Sequence, residues 1–454
     1  MVSFRNAEGQ LVRGTIVNLQ RKSIVMEVYN PYSIVQISEV LSELTMRLGT
    51  HIVYQGKAVV ISLVNTGLTL IASVTLIDEW RELNDVVVAP GSVRLEALAF
   101  VQDWTKRFQI RHGYQIVVNE ARTYLSDLSR WVEQIDMSET LPKVNGQLRS
   151  DIFYELAVPL MEKIKFFYDA LNSEASQVDT ELASAHRSFA QSALHPLLLR
   201  APFVYRTYTK PLGYAGDYQM VNQILDDPRQ GPNTYFQMVN TVFLQNGLAV
   251  AHRNRIDILV DFLKRMANEA LLAGRTFRIL NIGCGPAIEI QRFLQSYPIP
   301  ELLSFELVDF NDETLAWTQE KLTSIVNQTG KQVAINYVHE SVQQLLMRRI
   351  DSTSDNAREF DAIYCAGLFD YLSDKLCRRL TSHFAARTVQ GGKLLITNVH
   401  TNNPEKSGIE HLLEWYLIYR DESRIATLLP EGSVTRNIWV DATGVNLFAE
   451  TVIV

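Results

Sequence analysis

The 454-residue chain predicts a multidomain protein with a small N-terminal β-barrel, a helical middle and a C-terminal α/β unit built on a mostly parallel sheet. Three observations carry this reading. Short β-type runs punctuated by glycine fill residues 1–90. Apolar residues at intervals of three and four dominate residues 91–250. From 251 to 454, strand-type and helix-type runs alternate.

In the first unit the runs are "LVRGTIVNL", "SIVMEVY", "HIVYQGKAVVISLVN" and "LTLIASVTLI", with Gly9, Gly14, Gly49, Gly56 and Gly67 read as turn glycines. "SIVQISEVLSEL" reads as one helix or as a strand passing into a helix. Pro90 and Gly91 mark a linker turn. "RLEALAFVQDWTKRFQIRHGYQIVVNEARTYLSDLSRWVEQI" and "DIFYELAVPLMEKIKFFYDAL" then read as long amphipathic helices. In the last unit "RIDILVDFLKRMANEALLAG" predicts a helix capped by Gly274, followed by the strands "FRILNIG", "SFELVDF", "VAINYVHE", "FDAIYCAG" and "GGKLLITNV". "RNIWVDATGVNLFAETVIV" predicts a terminal hairpin turning at Thr443–Gly444.

Bulk properties narrow the function classes. Hydrophobic residues make up 47% and charged residues 20%, enough apolar material for a core in each unit. A net charge of −7 argues against nucleic acid as the main partner. Cys284, Cys365 and Cys377 have neither zinc-ligand nor disulfide-framework spacing, so a reducing cytoplasm and no metal are expected. The N-terminus has no apolar signal core, and no run of eighteen apolar residues predicts a transmembrane segment.

The stretch "NIGCGPAIE" carries the chemistry. Gly283 and Gly285 sit where a strand becomes a helix, which permits a tight turn and close approach of the backbone to a ligand. A dinucleotide fingerprint needs a third small residue where Ile288 stands, and no Gly-Lys-Ser/Thr of a phosphate loop follows. Asp309 ends the next strand, 24 residues after Gly285, where a carboxylate can accept hydrogen bonds from ribose hydroxyls. Upstream, "AHRNRIDIL" brings His252, Arg253 and Arg255 before the glycine strand. One arginine, Arg253 first, is a candidate partner for a ligand carboxylate; the alternative is a solvated basic helix start.

On these residues, 277–454 resembles the class I S-adenosylmethionine-dependent methyltransferases. "ILNIGCGPAIE" matches that family's first motif and "ELVDF" its second. "VHESVQQL" matches the segment bordering adenine, and "FDAIYCAGLFDYL" the fourth strand and its loop. The resemblance implies a Rossmann-like seven-stranded sheet with one antiparallel strand and S-adenosyl-L-methionine as cofactor. It places Gly283, Cys284, Gly285 and Pro286 at the methionine and ribose and Asp309 at the ribose. Phe310, Asn311, Glu340 and Ser341 fall beside the adenine, and Ala366, Gly367 and Leu368 between donor and acceptor. The family usually has Asp or Glu where Asn281 stands and often a glycine where Ala287 stands.

Two further segments bear on the acceptor. "YRTYTKPLGYAGDYQMVN" sets Tyr214 and Asp217 among glycines and tyrosines, and is read as a lid over the acceptor, with an interdomain connector as the alternative. Asp370, Tyr371 and His400 follow the fourth and fifth strands. His400 is a candidate general base for a hydroxyl acceptor or, alternatively, a polar loop residue. Nearly the whole chain resembles bacterial 3-hydroxy-fatty-acid methyl ester biosynthesis proteins of the extracellular-factor type. That resemblance implies a lipid-like carboxylate acceptor, free or carrier-bound, in a pocket formed by the helical middle. Other small-molecule, nucleoside or peptide acceptors, and a non-catalytic donor or nucleotide sensor, are the alternatives. Residues 1–90 resemble a degenerate PilZ-like barrel: Asn18 fits that family's motif, while Gln20 and Ser23 stand where Ser and Gly are expected. This implies a module for protein contacts rather than for cyclic di-GMP.

Overall fold

The computed structural model describes residues 2–5, 11–20, 22–28, 39–48, 51–65, 70–78, 80, 92–107, 109–138, 140–180, 182–347, 359–431 and 433–454. The first six strands are β1 (Val2–Arg5), β2 (Leu11–Leu19), β3 (Ser23–Val28), β4 (Val40–Leu48), β5 (His51–Asn65) and β6 (Leu70–Leu76). They close an antiparallel barrel in the order β1-β2-β3-β6-β5-β4. Alternation fills the interior, as Ile24, Met26 and Val28 of β3 and Ala72 and Val74 of β6 show. Two expectations are corrected. Gly14 and Gly56 lie inside β2 and β5 rather than in turns; a Cβ on Gly14 would come within 2.6 Å of the Glu27 carbonyl oxygen. The described part of "SIVQISEVLSEL" is strand β4, because the barrel supplies pairing partners on both sides through β1 and β5. Gly9, Gly49, Gly67 and the Pro90–Gly91 turn lie outside the described residues.

The middle comprises α1 (Ser92–Arg107), α2 (His112–Met137), a short hairpin of β7 (Lys143–Val144) and β8 (Gln147–Leu148), α3 (Ser150–Ser176), α4 (Ala183–Leu198), α5 (Pro202–Thr209), α6 (Tyr218–Leu225) and α7 (Thr234–Leu244). Helix α2 buries Tyr114, Val118, Ala121, Leu125, Leu128 and Val132, one stripe at intervals of three and four. The next helix, α8 (Gly247–Ala273), ends on Gly274 in the left-handed conformation, as its sequence predicts.

The last unit alternates strand and helix. Its elements are β9 (Phe277–Ile282), α9 (Ile288–Ser296), β10 (Leu303–Asp309), α10 (Asp312–Thr329), β11 (Ile335–His339), α11 (Val342–Met347), β12 (Phe360–Cys365) and α12 (Asp374–Arg387). After them come β13 (Thr388–Val399), α13 (Lys406–Leu412), α14 (Glu422–Ala426), β14 (Val434–Val440) and β15 (Asn446–Val452). The sheet order is β11-β10-β9-β12-β13-β15-β14, with β15 antiparallel to both its neighbours and the remaining pairings parallel. The expected seven strands and terminal hairpin are therefore present. The strand order reverses between β9 and β12, and a crevice opens there outside the carboxyl ends of the strands. Among the described residues no helix is long and apolar enough to cross a membrane.

Two devices fix the chain around that crevice. Residues Ile409, Leu412, Trp415 and Tyr419 leave the sheet and join the apolar core of α2–α7. The Tyr114 hydroxyl meets His411 Nδ1 at 2.9 Å and His195 Nε2 meets the Leu412 carbonyl at 2.8 Å. The second device is Arg420, which is fully buried. Its guanidinium donates to the carbonyls of Phe369 (2.7 Å) and Leu372 (2.6 Å), to Asn398 Oδ1 (2.5 Å) and to Asp374 Oδ1 (2.8 Å). It thereby pins the turn after β12 to β13. Arg420→Leu would leave buried acceptors unpaired and is expected to destabilise the protein by about 3–5 kcal/mol, read as a lowered urea midpoint.

Candidate active site

The cleft is a space of about 1150 Å³, open to solvent and centred on the glycine turn. Gly283 (φ 66°), Gly285 (φ 51°) and Ala287 (φ 48°) all take left-handed backbone conformations. For Ala287 this costs roughly 1–2 kcal/mol, the physical reason a glycine is common there. The turn is clasped onto β10: the N–H groups of Gly283 and Cys284 donate to the Val308 carbonyl at 2.8 and 3.0 Å. Gly285 N–H donates to Asp309 Oδ2 at 3.0 Å, and Thr318 Oγ1 donates to the Gly285 carbonyl at 2.8 Å.

Asn281 has a buried partner that the sequence reading did not name. Its Nδ2 donates to Glu289 Oε1 at 3.1 Å, and the Tyr364 hydroxyl donates to the same oxygen at 2.7 Å. Glu289, in the first turn of α9, lines the cleft and is 4% exposed. A carboxylate therefore occupies the neighbourhood of Asn281 after all, supplied eight positions later. Burial raises its pKa, which the Tyr364 and backbone hydrogen bonds and the Arg255 charge oppose.

Arg255, not Arg253, is the arginine in the cleft. Arg253 is committed to carbonyls, donating to Ile224 at 3.0 Å and Leu244 at 2.8 Å, and so ties α6 and α7 to α8. Arg255 lies two residues on, on the cleft side of α8. Its Nη1 is buried without a hydrogen-bond partner, and a Cβ on Gly367 (φ 96°) would come within 3.1 Å of it. Burial lowers its pKa, opposed chiefly by Asp370.

The other expected residues divide between cleft and scaffold. Gly283, Cys284, Gly285, Pro286, Asp309, Phe310, Glu340, Ala366 and Gly367 line the cleft, as do Tyr214, Asp370 and Tyr371. Asn311 and Ser341 do not: Asn311 Oδ1 accepts from Thr314 N–H at 2.8 Å as the N-cap of α10, and Ser341 forms a reciprocal box with Gln344 at the start of α11. Asp217 is likewise a scaffold residue, capping α6 through Met220 N–H (2.9 Å) and pairing with Arg206 at 2.8 Å. His400 is also outside the lining. Its neighbour Val399 faces the cleft, and alternation along the chain sends His400 the other way. There its Nδ1 accepts from Asn402 N–H and its Nε2 faces Glu422 at 3.1 Å, so no lone pair is left for a base.

The tyrosine–glycine segment does reach the cleft. Tyr214 packs its ring 5.0 Å from that of Phe310. Gly216 (φ 80°) passes so close to Tyr371 that a Cβ would sit 2.7 Å from its hydroxyl oxygen, which accepts from Trp415 Nε1 at 3.1 Å. Within residues 91–250 the cleft draws on Tyr214, Ala215, Gly216, Tyr218 and Val221, while α2, α3 and α4 contribute nothing to it; α8 adds His252, Arg255, Ile256 and Leu259. Trp415 and Leu417 complete that wall from the segment after β13.

No family model matches the chain, and no curated protein sequence does. Among solved structures it is similar to a possible exported protein from Bordetella parapertussis (13% identity, TM-score 0.42, covering 75% of this chain and 95% of that one). It is also similar to magnesium protoporphyrin IX methyltransferase from Synechocystis PCC 6803 with bound S-adenosylhomocysteine (13%, TM-score 0.37, covering 55% and 98%). A third is N-methyltransferase NodS from Bradyrhizobium japonicum WM9 in complex with S-adenosylhomocysteine (16%, TM-score 0.31, covering 52% and 97%). At these identities and TM-scores the likenesses carry neither donor nor acceptor over to this chain.

Asp370 gives the site a measurable pH signature. Its Oδ1 accepts from Val399 N–H at 2.6 Å, yet burial pushes its pKa up to about 6, against the Val399 bond and the charges of Arg255 and Arg420. An unfolded aspartate titrates near ~3.9, so the folded protein holds the proton more tightly, and stability falls as pH rises from about 4 to 6. Asp370→Asn, which keeps an acceptor for Val399, is expected to stabilise the fold by roughly 1–3 kcal/mol at pH 8. In urea titrations that gain should vanish near pH 4.

Proposed function

We infer that the chain is an S-adenosylmethionine-dependent O-methyltransferase acting on a small molecule, foremost the carboxylate of a fatty or hydroxy-fatty acid, free or carrier-bound, to give a methyl ester. The observation that carries the donor assignment is the charge at the glycine turn. A pyrophosphate seeks bare amides at a helix N-terminus. Here Gly285 N–H is taken by Asp309, and the first turn of the next helix carries buried Glu289. Two carboxylates repel a diphosphate and suit a ligand with a ribose diol, an ammonium group and a sulfonium. The same ligand has one carboxylate, and among the described residues the cleft has one buried guanidinium nitrogen without a partner, Arg255 Nη1.

In this reading Asp309 holds the ribose, with Phe310, Glu340 and Leu345 bordering the adenine. Glu289 meets the ammonium and Arg255 the carboxylate. The donor supplies an electrophilic methyl group. The chain's own work is to align it, exclude water and leave the acceptor oxygen in line. Tyr214 and Gly216 close the cleft from above, and Tyr371 with Trp415 walls the acceptor side. A carboxylate acceptor needs no base. A hydroxyl acceptor is the second reading, favoured by one observation: Asp370, in the cleft with a pKa raised to about 6, is tuned to take a proton near neutral pH. The N-terminal barrel, in the same reading, is a PilZ-like module for protein contacts.

Calorimetry with S-adenosylmethionine is expected to show one site per chain. Asp309→Ala and Arg255→Met should each weaken binding by roughly 1–3 kcal/mol, and Arg253→Met much less. Absence of binding by the wild-type protein contradicts the donor assignment. Tight binding with no transfer of labelled methyl to any component of a lipid extract points to a sensor instead.

A further inference from the structure

His252 is a cleft residue that the donor reading leaves without a task. It lies three residues before Arg255 on α8, one turn nearer the helix start and on the same face. The residue is 7% exposed and its ring centroid lies 6.2 Å from that of Trp415. Its Nδ1 is 2.8 Å from the Leu248 carbonyl oxygen. A carbonyl only accepts, so Nδ1 carries the ring proton and Nε2 the lone pair. Nε2 has no hydrogen-bond partner among the described residues.

The surroundings select what that lone pair can meet. Burial keeps the ring neutral, and the nearby charges of Arg255 and Arg253 reinforce this. Those two guanidiniums disfavour a cation at Nε2, and a lone pair disfavours an anion. Trp415, Leu417 and Ile256 make the adjoining wall apolar. What fits is a neutral O–H on an otherwise apolar molecule. Trp415 and Leu417 come from the segment after β13, which has no part in holding the donor, so the group lies on the acceptor.

We propose that His252 Nε2 is a specificity-determining hydrogen-bond acceptor that reads a hydroxyl group on the acceptor, separate from the oxygen that is methylated. This rests on the fatty-acid reading above and names the residue that would make the enzyme prefer hydroxylated acids. A wrong ligand that covers this acceptor and leaves it unpaired loses about 10- to 100-fold in affinity.

The test measures binding of hydroxylated and unsubstituted acids of equal chain length, the hydroxyl at C2 or C3, to full-length protein saturated with S-adenosylhomocysteine. Wild type is expected to prefer one hydroxylated acid by about 10- to 100-fold. His252→Phe and His252→Leu should abolish that preference, His252→Gln should restore part of it, and S-adenosylhomocysteine affinity should stay within about twofold in every variant that folds. A preference that survives in the Phe or Leu variant, or is missing in wild type, overturns the role of His252 and leaves the fatty-acid reading standing. If neither acid binds wild type, the fatty-acid reading falls, and this inference with it.

Discussion

The cleft depends on one backbone constraint, the left-handed turn between β9 and α9 and its clasp on β10. The Val308 carbonyl takes two turn amides and the Asp309 carboxylate takes a third. Because the clasp uses the last residues of the neighbouring strand, it fixes the acid that would meet a ribose beside the turn that would meet the rest of the ligand. Position and chemistry are set by the same five residues, Gly283, Cys284, Gly285, Val308 and Asp309. Side chains with a Cβ would be strained at Gly283 and Gly285, and Ala287 already bears that strain.

Around the turn, charge is arranged as a closed set. Glu289 is buried, yet it accepts from Asn281 and Tyr364 and lies near Arg255, so the cleft holds a carboxylate without stranding it. Arg255 is left with capacity to spare, while Arg420, deeper in the same unit, has almost none. The contrast separates a guanidinium with an unpaired nitrogen in the cleft from one that holds the fold. Arg420 braces the turn bearing Asp370 and Tyr371, and Trp415 reaches that turn from the segment shared with the helical core. The cleft wall of Tyr371 and Trp415 is thereby coupled to both units.

Much of this was legible in the sequence. Alternating periodicity showed the three units, and Gly283, Gly285 and Asp309 showed the cleft, because backbone conformation and strand ends leave local signatures. Side-chain direction does not. Asp217, Asn311 and Ser341 are residue types suited to binding, and they stand at junctions where the same types cap helices; the caps claimed them. Arg253 and Arg255 are indistinguishable in composition, but a rotation of two positions around α8 sends one to carbonyls and the other to the cleft. Glu289 could have been found from the sequence as an acid in the first turn of the helix after Asn281. The partnership itself needed Tyr364, 83 residues away from Asn281 in the chain.

The central claim is that this cleft holds an adenosyl methyl donor, amino-acid end towards α8. A crystal structure of the protein with S-adenosylhomocysteine tests it most directly. The account predicts ribose hydroxyls on Asp309, the ligand carboxylate on Arg255 and its ammonium near Glu289, with the sulfur facing the wall of His252, Tyr371 and Trp415. A ligand bound with its carboxylate away from Arg255, or lodged outside the glycine turn, would contradict it.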